Sequence, residues 1–377
     1  MKISNVSFKN ILYEKEVSMY KSKGTLLRAM SFAETYGLNA PIMLAPMAGA
    51  CPTSLSISVA KGGGMGACGV LMMNPDQIFD WVNEMRAFSN GTFQLNTWIP
   101  DPDPVRNIDH EVKLRQFLAQ WGPEVLETAG NSSSPNFTSQ CEAMLEANPK
   151  VISSIMGLYP SDYISRMKIK NIKWFATVTT VAEAIQAEQA GADVIVAQGM
   201  EAGGHRGSFI ASTASENLVG LFSLLPAVIN AVDVPVVATG GIADAKGVAA
   251  ALVLGASAVQ IGTGFLRSPE AKIPEVWADA IASTNPEDTI ATRAFSGRLG
   301  RSIRNKYAVA ASSKDAPEPA PYPIQRHLTQ GMRKSAIESK KLDGMQTWAG
   351  QSAKLAPNVS ASKTVISFWE NAKAILE

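Results

Sequence analysis

Cysteine, histidine and an excess of charge of either sign are all scarce in this chain of 377 residues. Its three cysteines, Cys51, Cys68 and Cys141, have no CxxC or Cys/His spacing, which argues against a zinc site and a disulfide framework. With 34 Lys and Arg against 33 Asp and Glu, no basic field favours nucleic acid or an acidic membrane. We therefore expect a small-molecule partner, no metal, no nucleic acid, and a reducing cytoplasmic setting.

Long apolar runs are missing as well. No stretch of about eighteen consecutive apolar residues occurs, so the sequence predicts no membrane-spanning helix and a soluble protein. The first residues, MKISNVSFKNILYEKEV, are interrupted by charges and do not form the apolar core of a signal peptide. The length allows either one elaborated α/β barrel or two ordinary domains.

What the sequence does contain is a regular alternation of short apolar segments with helical patterns between residues 42 and 262. The short segments are rich in β-branched residues, which is typical of strands buried on both faces of a parallel sheet. Eight of them close a (β/α)8 TIM barrel, and a doubly wound sheet is the alternative. They cover residues 42–46, 65–71, 93–96, 151–155, 174–178, 194–197, 234–239 and 258–262.

The segments before and after the barrel do not show this alternation of strands and helices. Residues 1–36 are predicted to be an N-terminal extension, whose helical segment 24–36 closes the bottom of the barrel formed by residues 37–267. Residues 268–350 are predicted to form a smaller, mostly helical cap or substrate domain, and residues 351–377 a helix that packs back on the barrel. Four arginines of the cap can bind an anion, but a solvated helical face is the favoured interpretation. They are Arg293, Arg298, Arg301 and Arg304.

The loop after the sixth predicted strand carries the most chemistry. Residues 194–207 read VIVAQGMEAGGHRG, and Glu201 precedes the histidine by four positions. Gly203 and Gly204 let the main chain approach a ligand closely or adopt a positive φ beside His205, whose side chain titrates near neutral pH. Glycines after a strand often serve only to form a turn, and a lone histidine often has only a structural role. The position directly after a core strand favours a functional role for His205.

Two more glycine loops follow the seventh and eighth predicted strands. They contain Gly240 and Gly241 in the first loop, and Gly262, Thr263 and Gly264 in the second. In (β/α)8 barrels these two loops commonly build a phosphate site, because bare backbone N–H groups can cradle a phosphate. Each loop alone can be a plain tight turn. Their joint placement predicts a phosphate site.

Six motifs, in this order, resemble those of the nitronate monooxygenases, a family of FMN enzymes on a (β/α)8 barrel with a helical second domain. The resemblance spans most of the chain. AQGMEAGGHRG is its most specific part, whereas GGIAD and GTGF are shared by many FMN barrels. The motifs are LAPMAG (44–49), FQLN (93–96), AQGMEAGGHRG (197–207), ATGGIAD (238–244), QIGTGFL (260–266) and WAGQ (348–351).

The resemblance implies a role for each matching residue. It places the FMN phosphate at Gly240, Gly241, Gly262 and Thr263, and it makes His205 the catalytic group. The other cofactor-binding residues that it implies are Ala45, Pro46 and Met47 at the isoalloxazine, Asn96 and Gln198 at the ring or ribityl chain, Gly203 and Gly204 against the flavin, and Gln260.

The implied activity is oxidative denitrification of alkyl nitronates with O2, which gives a carbonyl product and nitrite. It extends to nitroalkanes if His205 removes their α-proton. The alternatives on the same barrel are an FMN-dependent NADH:quinone reductase and an enoyl-acyl-carrier reductase. A barrel without FMN that acts as a binding module is a hypothesis from another class. A homodimer is one possible assembly, and the roles of Tyr307, Tyr322 and Trp348 stay open.

Overall fold

The computed structural model describes residues 24–131 and 135–377. Residues 1–23, most of the predicted N-terminal extension, lie outside the described residues. Within the described ranges, no helix is both long and apolar enough to cross a membrane. The extension is represented by one helix, α1, over residues 24–36.

Eight parallel strands form a barrel in which each strand pairs with the next barrel strand along the chain. The last strand pairs with the first, and a parallel bridge between Met43 and Met65 joins the first to the second. The sheet therefore closes as a (β/α)8 barrel, and a doubly wound sheet with two open edges is excluded. The barrel strands are β1 (Ile42–Leu44), β2 (Gly66–Gly69), β3 (Phe93–Trp98), β4 (Val151–Ile155), β5 (Lys173–Val178), β6 (Val194–Gln198), β8 (Val236–Thr239) and β9 (Ala258–Ile261), while β7 (Gly204–His205), β10 (Thr289–Thr292) and β11 (Gly300–Ile303) form a separate sheet.

Helices alternate with the barrel strands and continue beyond them. Those before residue 268 are α2 (Thr53–Lys61), α3 (Pro75–Phe88), α4 (Ile108–Leu118), α5 (Phe137–Ala147), α6 (Ser161–Ile169), α7 (Val181–Gln189), α8 (Leu221–Ile229) and α9 (Ala245–Val253). Those after it are α10 (Glu275–Ser283), α11 (Lys306–Ala310), α12 (Ile324–Leu328), α13 (Gln330–Glu338) and α14 (Ala361–Leu376). Side-chain caps explain several of the starts. Asn74 accepts the backbone N–H of Gln77 at 2.9 Å and begins α3, and Asp244 accepts that of Gly247 at 2.7 Å and begins α9.

Helix α1 fills the end of the barrel at which the strands begin. The ring of Tyr36 meets Phe175 edge-on at a centroid distance of 5.1 Å, and Phe32 lies 6.3 Å from the same ring. Met43 and Val151, from β1 and β4, belong to the same buried cluster. The prediction that this helix closes the bottom of the barrel is confirmed, and the opposite end is left for a ligand.

The arginine-rich segment after the barrel is not helical, contrary to the prediction. Strands β10 and β11 pair as an antiparallel hairpin, and β11 pairs with β7, which the loop after β6 contributes. In this pairing Gly300 lies opposite His205, and Arg301 lies opposite Gly204. The hairpin is extended into a three-stranded sheet by β7 from a distant segment, an interaction that local sequence periodicity does not reveal.

The expectation of a solvated arginine face is wrong for two of the four arginines. Arg298 is 4% exposed and binds the carboxylate of Asp101 through Nε at 2.7 Å and Nη2 at 2.6 Å. Arg301 is 8% exposed and donates to the carbonyl of Met200 at 2.9 Å. Their guanidiniums hold loops together from inside the protein. The other two, Arg293 and Arg304, are exposed as expected.

The last helix, α14, packs against the outer surface of the barrel. Val365, Phe368 and Trp369 join the main apolar cluster that surrounds the barrel strands. Gly62, which ends α2, allows a close approach, since a Cβ there would lie 2.7 Å from the backbone oxygen of Ser362. The chain therefore ends against the helical layer of the barrel.

Candidate active site

A cavity of about 390 Å³ lies at the end of the barrel where the strands terminate. A volume of this order suits a small-molecule ligand. Parallel strands gather their C-terminal loops at one end of a barrel, which is why motifs spread over the chain meet here. Every site residue that the resemblance implies lines this cavity: Ala45, Pro46, Met47, Asn96, Gln198, Gly203, Gly204, His205, Gly240, Gly241, Gln260, Gly262 and Thr263.

A buried polar layer supports the floor of the cavity. The amide nitrogen of Gln94 donates to Gln260 Oε1 at 3.0 Å and to the carbonyl of Leu44 at 3.2 Å. The hydroxyl of Ser153 donates to Gln94 Oε1 at 2.8 Å and accepts from Asn96 Nδ2 at 3.0 Å. A satisfied network of this kind fixes the amide orientations of Asn96 and Gln260 toward the cavity.

The glycine loops after β8 and β9 present bare main chain to the cavity. Gly240 and Gly241 have φ values of +109° and +70°, which L side chains rarely adopt. A Cβ at Gly262 would lie 3.2 Å from Met47 Sδ and 3.4 Å from Ala45 Cβ, between the ends of β9 and β1. Both loops therefore require glycine for their backbone conformation or for space at the cavity wall.

Two polar side chains hold the loop that contains the histidine. Gln198 donates through Nε2 to the carbonyl of His205 at 3.1 Å and accepts the N–H of Gly207 through Oε1 at 2.8 Å. The carboxylate of Glu201 accepts the N–H of Leu221 at 2.9 and 3.1 Å, which places its negative charge at the start of α8. Gln198 thus braces the loop as well as lining the cavity. Glu201 braces it without contacting His205.

The imidazole of His205 is held between two indoles. Its ring centroid lies 4.6 Å from that of Trp98 and 4.9 Å from that of Trp348, both at steep angles. Its Nε2 lies 2.7 Å from the hydroxyl of Ser296, which is fully buried. The other ring nitrogen, Nδ1, has no hydrogen-bond partner within residues 24–131 and 135–377. Nδ1 is therefore available for a hydrogen bond with a ligand.

Positive charge surrounds this imidazole. Burial, followed by the charges of Arg326, Arg298 and Arg333, lowers the pKa of His205 from 6.5 to about 3. The imidazole is therefore neutral at physiological pH. Arg298 is compensated by Asp101. In the described part of the chain no carboxylate lies within ion-pair distance of Arg326 or Arg333, and both line the cavity.

Several residues of this site were not identified from the sequence. Trp98, at the end of β3, precedes a proline-rich segment and carries no sequence signal of a site, and the sequence leaves the role of Trp348 open. Ser296, Arg326 and Arg333 lie beyond the barrel, where the regular alternation of strands and helices ends. Their proximity to His205 depends on the packing of the β10–β11 hairpin and of α12 and α13 over the barrel. No local pattern in the sequence encodes that packing.

Comparison with known proteins shows what the chain as a whole is similar to. The model of a family described as nitronate monooxygenase matches residues 32–371. A probable nitronate monooxygenase of Staphylococcus aureus strain Newman is 37% identical over 333 residues, which cover 87% of this chain and 92% of the relative. Another from strain MRSA252 is 38% identical over 335 residues, with the same coverage of both chains.

Solved structures with the same fold include two with substantial sequence identity. The nitroalkane oxidase of Streptomyces ansochromogenes is similar with a TM-score of 0.82 and 31% identity, over 90% of this chain and 98% of that one. FabK of Thermotoga maritima is similar with a TM-score of 0.70 and 26% identity, over 91% of this chain and 95% of that one.

Proposed function

The chain belongs to the nitronate monooxygenase family, and we propose on that premise that it oxidises alkyl nitronates with O2 to a carbonyl product and nitrite. The observation that carries the proposal is the setting of His205. A neutral imidazole with a free Nδ1 faces a cavity that also contains two uncompensated guanidiniums. Such a site favours a small organic anion over a neutral or cationic substrate.

FMN is the cofactor that we propose, in a family whose members are generally flavoenzymes. The residues fit the group, because Gly240, Gly241 and Gly262 line the cavity without side chains and can offer backbone N–H groups to a phosphate. Thr263 completes the proposed phosphate site, which we call the phosphate grip and which consists of Gly240, Gly241, Gly262 and Thr263. Asn96 and Gln260, whose amides are fixed by the buried polar layer, would face the isoalloxazine or ribityl chain. When bound, the flavin would accept electrons from the nitronate and react with O2.

The chain's own residues orient the substrate and move its proton. Trp98 and Trp348 pack their indole rings against the imidazole of His205 and reduce its contact with water. With a nitronate, the tautomer that carries its proton on Nδ1, while Nε2 accepts from Ser296, donates to an oxygen of the nitro group. With a neutral nitroalkane, the tautomer that carries its proton on Nε2 leaves Nδ1 unprotonated to accept the α-proton. Because its pKa is low, this imidazole is a weak base, so pre-formed nitronates are expected to be the better substrates.

The pH dependence follows from the lowered pKa of His205. An ordinary histidine gains a proton below pH 6.5, but this one stays neutral until the pH approaches about 3. We expect kcat/KM for freshly prepared ethyl nitronate to show no inflection from His205 between pH 8 and about pH 5. Initial rates across this range test the expectation. An inflection in kcat/KM near pH 6.5 that is present in the wild type and absent in His205→Asn would contradict it.

Ser296 is expected to act as a positioning residue for His205. Ser296→Ala removes the 2.7 Å hydrogen bond to Nε2, so the imidazole loses its fixed orientation. A lost hydrogen bond of this kind is expected to reduce kcat/KM for the nitronate by about tenfold. The matched control is Ser302→Ala, another fully buried serine, which bonds to the carbonyl of Thr347 instead. Equal losses in both variants would indicate a general packing effect.

The reductases on the same barrel are the second candidate function, and the likeness to FabK at 26% identity is the observation that favours keeping it. Anaerobic mixing distinguishes the two. Bleaching of the flavin absorbance by NADH would favour a reductase, whereas bleaching only by a nitronate would favour the proposed function. A nitrite assay under air tests the products. A purified protein without a flavin spectrum would instead support a binding module.

A further inference from the structure

Two guanidiniums in the cavity lack a negative partner. Resting on the proposed function, we propose that Arg326 and Arg333 form a subsite for planar oxyanions, which binds the two oxygens of the nitronate group. This subsite would select ionised nitronates over neutral nitroalkanes. Neither arginine belongs to the glycine loops after β8 and β9 or to the loop after β6 that contains His205, which we call the histidine loop.

The two arginines are organised together by the junction between α12 and α13. Arg333 donates through Nη2 to the carbonyl of Arg326 at 2.8 Å and through Nε to the hydroxyl of Thr329 at 3.2 Å. These bonds fix its guanidinium and leave other N–H groups free. The side chain of Arg326 donates no hydrogen bond to any described residue. One arginine is therefore held in place, and the other has all its donors available to a ligand.

The charges of this pair are not compensated by the protein. Burial and the charge of Arg326 lower the pKa of Arg333 to about 10, and burial lowers that of Arg326. Like charges that are partly buried side by side are unfavourable unless a counter-charge is present. Arg298 shows the usual solution, since Asp101 binds it with two hydrogen bonds. For Arg326 and Arg333, a bound anion can supply that counter-charge.

The chemistry of the pair matches a nitronate. The nitronate group is planar and spreads one negative charge over two oxygens, as a carboxylate does. A guanidinium fork donates two parallel hydrogen bonds to such a group. Arg326, Arg333 and His205 line the same cavity, and the charges of both arginines act on the imidazole. The glycine loops that we assign to the flavin phosphate lie instead at the ends of β8 and β9.

Substitution of each arginine tests the subsite in the flavin-loaded enzyme. Arg326→Gln and Arg333→Gln are each expected to raise KM for ethyl nitronate by roughly 10- to 100-fold, because each removes charge-assisted hydrogen bonds. KM for neutral nitroethane is expected to stay within about twofold. Lys334→Gln is the matched control, because Lys334 follows Arg333 on the same helix and its side chain is 76% exposed. Arg326→Lys keeps the positive charge but loses the paired donors of the guanidinium, so its KM for ethyl nitronate is expected to lie between those of the wild type and Arg326→Gln.

Nitrate provides a readout that does not depend on turnover, since it is planar and anionic but not a substrate. At constant ionic strength, nitrate is expected to raise the Tm of the wild-type holoenzyme and of Lys334→Gln, but not of either arginine variant. No Tm rise in the wild type would overturn the subsite. Nitronate turnover with unchanged KM in both arginine variants would also overturn it. A nitrate-dependent Tm rise without nitronate turnover would instead refute the proposed function and leave the subsite standing.

Discussion

His205→Asn is expected to reduce kcat/KM for a neutral nitroalkane by about 10²- to 10⁴-fold, the usual contribution of a positioned general base. Asparagine can preserve a hydrogen bond to Ser296, but it has no nitrogen that accepts a proton. Oxidation of a pre-formed nitronate is expected to fall much less, because that substrate has already lost its α-proton. The two substrates therefore separate the role of His205 in proton transfer from its role in orientation.

The measurement is a nitrite assay with nitroethane and with ethyl nitronate, normalised to flavin content. His110→Asn is the matched control, because His110 is distant in sequence, lies on α4 and bonds to the carbonyl of Glu318 at 2.7 Å. Full turnover of nitroethane by flavin-loaded His205→Asn would show that another group takes the proton. Equal losses with both substrates would assign His205 to orientation alone.

The barrel and most of its cavity could be predicted because both depend on local signals that a parallel barrel combines. Short apolar segments give the strands, and the closed topology brings their C-terminal loops together. Once β6, β8 and β9 were recognised, the loops containing His205, Gly240 and Gly262 had to meet. The segment 194–197 could be assigned as a strand because its burial on both faces makes it continuously apolar.

The remainder of the site could not be predicted, because it depends on contacts between distant segments. The two-residue strand β7 is too short to produce a pattern, and it becomes a strand only by pairing with β11. Arg298 looks like a surface residue until Asp101 approaches it from the loop after β3. Arg326 and Arg333 occur in a tail whose short helices lack a regular apolar repeat. A charged residue in such a segment is usually solvated, and only the fold shows which ones face the cavity.

The adjacent glycines Gly203 and Gly204 show how one motif meets two different requirements. Gly204 has a φ of +75° and open space around its Cβ position, so its constraint is conformational. Gly203 has no positive φ, but a Cβ there would lie 2.5 Å from the nitrogen of Gly350 and 2.6 Å from the carbonyl carbon of Ala349. Its constraint is space. The sequence predicted a close approach to a ligand, and at Gly203 the described structure places another backbone segment at that distance.

Gly203→Val is therefore expected to weaken FMN binding by about 100-fold. The side chain would push residues 349–350 away, and Gly350 donates to Thr263 of the proposed phosphate grip at 3.0 Å. Overpacking against backbone costs up to about 3 kcal/mol, which corresponds to roughly a 100-fold change in affinity. Flavin titration of the apoprotein measures it.

Gly204→Asn is the comparison variant, because asparagine tolerates a positive φ and meets no atom at that position. It is expected to retain the flavin with an affinity within about tenfold of the wild type. Wild-type affinity in Gly203→Val would mean that residues 349–350 move without disturbing Thr263. The coupling between the histidine loop and the phosphate grip would then be absent. Loss of flavin in Gly203→Val alone would instead show that the histidine loop and the phosphate grip are held together through the segment at residues 348–351.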